Sequence, residues 1–135
     1  MHIITKMVSR KNLLLIALVA LTVLSLPAMA SLVELKWDEQ SRFAHRTELK
    51  AGGSLELCGK LDAGLKIDWR YQSTQALDFN IHFHEGKEVV VPVKHKEKAE
   101  LQALFEVKQT QGYCWMWTNR TKEKASLEIA LERLK

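Results

Sequence analysis

Leu65-Lys66-Ile67-Asp68-Trp69-Arg70-Tyr71 and Leu77-Asp78-Phe79-Asn80-Ile81-His82-Phe83 alternate apolar and polar side chains residue by residue. A period of two sends successive side chains to opposite faces, so each stretch reads as a half-buried β-strand. Working outward, Val89, Val91 and Val93 continue the pattern, and Pro92 marks an edge or a strand end. Tyr113, Trp115 and Trp117 share one parity, as do Leu127, Ile129 and Leu131. Between these runs lie Gly52-Gly53, Asp62-Ala63-Gly64, Ser73-Thr74-Gln75, Glu85-Gly86-Lys87 and Thr110-Gln111-Gly112, which is turn chemistry at short intervals. Short strands so spaced predict an all-β fold, an antiparallel sandwich or barrel, of which we take an antiparallel β-sandwich of jelly-roll-like kind.

Two segments are less regular. Leu101, Leu104 and Phe105 have helical spacing, whereas Leu101, Ala103, Phe105 and Val107 fit a strand. We read the second half of Lys94–Phe105 as strand and Lys94–Lys98 as a charged connection. Residues Ser31–Gln40 are weakly patterned and read as a loose N-terminal strand or arm.

The first thirty residues have a different composition. Lys6, Arg10 and Lys11 precede the apolar run Leu13–Leu26, which Pro27 and Ala28-Met29-Ala30 close. That order is a cleavable secretory signal with its cut after Ala30, and the run is too short for a membrane span. An uncleaved anchor is the alternative, and Pro27 opposes it. The mature chain, residues 31–135, then forms one domain of 105 residues with no membrane span. Three of the 20 Lys and Arg belong to the leader, so 17 face 16 Asp and Glu in the mature part. Nucleic-acid binding needs clustered cations to neutralise phosphates, and this balance gives it no support. A periplasmic location follows, with secretion to the exterior as the alternative.

Cys58 and Cys114 both survive processing. In an oxidising compartment, an isolated pair in a small domain is most simply a disulfide, with a two-thiol metal site or free thiols as the other readings. By parity both sulfurs lie opposite the inward side chains of their strands, where adjacent strands can be bridged.

Gly112-Tyr113-Cys114-Trp115-Met116-Trp117-Thr118-Asn119 followed by Leu127-Glu128-Ile129-Ala130-Leu131 resembles the closing strands of GOLD domains, the β-sandwich modules of p24/emp24 cargo proteins. Ile67-Asp68-Trp69-Arg70-Tyr71 and Leu77-Asp78-Phe79-Asn80-Ile81 resemble that family's central strands, so the likeness spans about residues 54–134. The family's second cysteine sits two residues later, at the position of Met116. The resemblance implies a non-catalytic interaction module and names neither ligand nor functional residues. The partner expected is an envelope protein or a lipid-associated component.

His82 and His84 are the sharpest candidates for chemistry. At i and i+2 on a strand they share a face, so both imidazoles can reach one ion, with Asn80, Glu85 and His95 as further donors. Copper or zinc would suit such a site; two solvated histidines with no cofactor are the plainer reading. Tyr113, Trp115 and Trp117 read as core rather than as a stacking platform, and Trp37 and Trp69 likewise. Asp62, Asp68 and Asp78 are scattered, Ser54, Ser73 and Ser126 lack a Gly-x-Ser-x-Gly elbow, and Gly52-Gly53 is no phosphate loop. Lys94-His95-Lys96-Glu97-Lys98 reads as a solvated charge run. Asn119-Arg120-Thr121 fits a glycosylation sequon. The sequence thus predicts a binding protein rather than an enzyme, with a metal-binding protein as its rival.

Overall fold

The computed structural model describes Thr22 and residues 30–135. The signal peptide expected over residues 1–30 lies, apart from Thr22 and Ala30, outside the described residues. Among those described the chain is all-β, with seven strands: β1 Ser31–Glu34, β2 Arg42–Leu49, β3 Ser54–Leu61, β4 Lys66–Glu85, β5 Glu88–Glu106, β6 Gln111–Thr118 and β7 Ala125–Leu134. They form a single sheet in the order β1-β3-β6-β4-β7-β2, with β5 along the other edge of β4.

The length of β4 explains the architecture. Its first part, Lys66–Ser73, pairs with β7, and its last part, Asp78–Phe83, pairs with β6. The sheet curls at the handover, so a five-stranded half (β5-β4-β6-β3-β1) faces a four-stranded half (β5-β4-β7-β2). Ring contacts across the gap fix that arrangement: Trp69 lies 4.6 Å from Phe79, Tyr71 5.8 Å from Trp117, and Phe105 5.7 Å from Trp115. The alternating residues of the quoted stretches fill the core, together with Leu55, Leu57, Leu127, Ile129 and Leu131. Tyr113, Trp115 and Trp117 are buried there, and the indole nitrogens of Trp69, Trp115 and Trp117 have no hydrogen-bond partner. These aromatics are packing, as their parity implies.

Four sequence readings are corrected. Ser73-Thr74-Gln75 is not a turn, because β4 runs through it. Pairing with β5 steps from Gln72↔Glu100 to Leu77↔Lys98, so β4 carries extra residues where it bends. Lys94–Lys98 is not a connection but the middle of β5, with Glu97 at φ 54° where the register shifts again. Asp78 pins this corner: its carboxylate accepts from the Glu97 backbone N–H at 3.1 Å and from Arg120 Nε at 2.6 Å. Val89, Val91 and Val93 do not share a face. One extra β5 residue between Ile81↔Val93 and Phe83↔Val90 turns Val90 and Val93 inward and leaves Val89 and Val91 exposed.

The fourth correction is to the wholly antiparallel pairing; the strand expected within Ser31–Gln40 is present. Ser31–Glu34 is a strand, and it pairs parallel to β3, so the sheet is not wholly antiparallel. The alternation Phe43, His45, Thr47, Leu49 belongs to β2, an edge strand the sequence reading did not assign; its ladder with β7 sets these residues against Leu131, Ile129, Leu127 and Ala125.

Candidate functional site

The curled sheet has two outer faces of different character. On the four-stranded half, β2, β7 and β4 bring Arg42, Glu132 and Asp68 into one row and Arg46, Glu128 and Gln72 into another. Arg42–Glu132 and Arg46–Glu128 are exposed ion pairs, which makes this a solvated surface.

The five-stranded half carries a different set. One row across it reads Lys94, Asn80, Met116, Glu56, Leu32, and the next places His82 beside Cys114, Cys58 and Glu34. Cys58 and Cys114 are directly opposed on β3 and β6, with Cα atoms 4.1 Å apart, and they form the disulfide. The bridge lies on the outside of one half, as parity required, and links neighbouring strands.

His82 is buried on this outer face, only 5% exposed, between the disulfide and its own strand neighbours. Its Nδ1 lies 2.8 Å from Asn80 Oδ1. An amide oxygen only accepts, so Nδ1 carries the ring proton and the neutral ring leaves Nε2 a bare lone pair. Nε2 stands 3.7 Å from Glu56 Oε1. Burial lowers the His82 pKa below its ordinary 6.5; the Glu56 carboxylate opposes that shift and His84 adds to it. The ring is therefore neutral at pH 7, and two lone pairs face each other across the gap. The Glu56 carboxylate and the two sulfurs lie within 4.8 Å of one another.

The structure separates the histidine triad proposed from sequence. His82 and His84 do share a face, edge to ring at 5.4 Å, with His84 exposed. His95 is paired with Phe79 and stacks against it at 6.5 Å, so it lies on the inner side of the sheet, away from the other two. Glu85 has the parity of Phe83 and sits exposed at the hairpin tip. Glu56 is the neighbour that sequence reasoning missed. Its signal was present: Glu56 precedes Cys58 by two residues, so placing that cysteine outward places the carboxylate beside it.

Other candidates resolve as structural. Asp68 and Asp78 lie in different halves and Asp62 is exposed in a turn, so no two of them pair for acid–base work. Lys94, Lys96 and Arg120 line an open depression with Asp78 and Glu97, where the two acids offset two of the three cations. The sequon is not an acceptor site in the fold: Asn119 is fully buried, and its amide nitrogen donates to the carbonyls of Leu49, Lys50 and Glu123.

The sequence matches no protein-family model and no curated relative. Solved structures do share the fold. A periplasmic inhibitor of g-type lysozyme from Aeromonas hydrophila aligns with a TM-score of 0.63 at 10% identity, over 78% of this chain and 97% of that one. The corresponding inhibitor from Salmonella Typhimurium gives 0.53 at 10% identity, over 77% and 98%. The pre-peptidase C-terminal domain of a Bacillus anthracis collagenase gives 0.58 at 12% identity, over 80% and 99%. At such identities the likeness is one of fold.

Proposed function

We propose that this chain is an exported, non-catalytic binding module that presents the outer face of its five-stranded half to a protein partner in the periplasm. The contrast between the two outer faces carries this reading. One is laced with ion pairs. The other buries a neutral histidine beside a rigid cross-strand bridge and presents Met116 at its middle and the exposed Leu32 on its β1 edge, with Glu56 between them.

Three further observations support it. A disulfide in a domain of this size suits an oxidising compartment. The curled sheet reads as a β-sandwich, and two of the proteins that share it inhibit g-type lysozyme in the periplasm. The resemblance of the closing strands to GOLD domains, read from the sequence alone, would imply the same class of non-catalytic module. The partner we favour is accordingly an enzyme that cleaves the peptidoglycan backbone.

Binding is tested by calorimetry of the purified protein with a g-type lysozyme, alongside the rate at which that enzyme clears a peptidoglycan suspension. The expected result is slower clearing with the wild type and loss of the effect in Met116→Lys and Leu32→Asp. Equal behaviour of the wild type and both face variants, in binding and in clearing, would reject the face as the site.

A further inference from the structure

We infer that opening the Cys58–Cys114 bridge converts this face into a binding site for a thiophilic divalent cation of the zinc class, held by both thiolates, Glu56 and His82. The inference goes beyond the protein-binding role and does not depend on it.

Three of the donors are already gathered, and the fourth stands beside one of them. The two sulfurs and a Glu56 carboxylate oxygen lie within 4.8 Å of one another, and His82 Nε2 is 3.7 Å from Glu56 Oε1. Tetrahedral zinc, with bonds of about 2.3 Å to sulfur and about 2.0–2.1 Å to nitrogen or oxygen, sets its ligands roughly 3–4 Å apart. Opening the bridge lets the two sulfurs separate to that spacing, and the His82 ring, already beside Glu56, must then turn toward them. The four residues come from three hydrogen-bonded neighbours, β3, β6 and β4, so the ladder fixes their spacing.

The imidazole is also prepared. A ligating histidine ordinarily donates its other N–H to a carbonyl or carboxylate, and here Nδ1 donates to Asn80 while Nε2 is free. In the oxidised protein that lone pair faces a carboxylate, a contact that a cation between them relieves.

The disulfide is the gate. A dithiol donor delivers two electrons and two protons to the bridge and closes to its own disulfide. The two thiols then release two protons on binding the cation as thiolates. Neither sulfur is an anionic ligand while the bridge is closed.

The test uses the full protein, reduced with a phosphine under inert gas, freed of reductant, and titrated with Co²⁺ and then Zn²⁺. Reduced wild type should develop a thiolate-to-cobalt charge-transfer band that Zn²⁺ displaces, and Zn²⁺ should shield both thiols from alkylation. Oxidised protein should do neither. Asn80→Ala should weaken Zn²⁺ binding about 10–100-fold by freeing the His82 ring. His82→Ala should weaken it at least as much, and His95→Ala not at all. If reduction alone diminishes the strand signal in circular dichroism, Zn²⁺ should restore it. Absence of the band, unshielded thiols, equal binding by oxidised protein, unaltered affinity in His82→Ala, or no restoration by Zn²⁺ would each overturn the inference.

Discussion

The side-chain amide of Asn119 donates to the backbone carbonyl of Leu49 at 3.2 Å, tying the end of β2 to the loop after β6 across 70 positions of sequence. The same nitrogen reaches Lys50 O at 3.2 Å and Glu123 O at 2.7 Å, while Oδ1 accepts from the backbone and the hydroxyl of Thr121. With backbone bonds from Gly52 N–H to Asn119 O and from Asn119 N–H to Gly53 O, this residue knots the β2–β3 loop to the β6–β7 loop.

Asn119→Ala takes this donor from the buried Leu49 carbonyl, removes two further bonds to Lys50 O and Glu123 O, and should destabilise the protein by about 3 kcal/mol. Asn119→Asp should be worse, because it turns a negative charge on the same oxygens. Urea denaturation of the two variants checks both the loss and its order; a shift under 1 kcal/mol for Asn119→Ala would deny the residue this role.

Stability should fall in mild acid through His82. Its pKa in the folded state lies below the ordinary 6.5 that the unfolded chain retains, so in this range the unfolded state binds more protons. Unfolding is then favoured as pH drops below about 6.5, and the contribution is fully present above that value. His82→Gln removes the titrating group and should flatten the stability profile between pH 7.5 and 5 relative to wild type. Parallel profiles for the two proteins would assign the acid sensitivity elsewhere.

How much of this was readable in the chain depends on the kind of feature. Ile67, Trp69, Tyr71, Leu77, Phe79 and Ile81 are all buried as their alternation requires, because burial on one face of a strand leaves a period-two mark. Bulges leave none. The bends at Ser73–Ala76 and Val91–Pro92 insert residues without changing composition, so from sequence one strand reads as two and the valines read as sharing a face. β2 leaves little mark because it is an edge strand, with only Leu49 of its inward residues fully buried. The burial of His82 was hidden for another reason: it depends on Cys114 and Glu56 from β6 and β3, and ladder partners are set by topology. Asn119 matched a surface motif because a sequon specifies residue types and not exposure.

Removing the bridge should lower stability without unmaking the fold. The two cysteines are 56 residues apart, and in the chain-entropy model a loop of that size contributes about 4 kcal/mol. Cys58→Ala/Cys114→Ala should shift the denaturation free energy by roughly that amount, while near-ultraviolet circular dichroism from the buried tryptophans is retained. A double variant as stable as wild type would mean that the β3–β6 ladder alone holds this pair of strands.

Gly59 should prove intolerant of the smallest side chain. The segment after β1 crosses β3 here: Leu35 N–H bonds to Cys58 O at 2.8 Å, and a Cβ built on Gly59 would stand 2.8 Å from Leu35 Cβ. Leu35 is part of the buried core, so neither atom can swing away as the tip of a flexible side chain could. In Gly59→Ala, β1 must lift or β3 must shift, at a cost of about 1–3 kcal/mol. Leu35→Gly removes the Cβ that a Gly59 side chain meets, while giving up buried surface, so the double variant Gly59→Ala/Leu35→Gly should lose less than the sum of the two single losses. Denaturation of the four proteins in this cycle measures the coupling; strictly additive losses would show that the close approach of Leu35 to Gly59 does not determine how β1 is held.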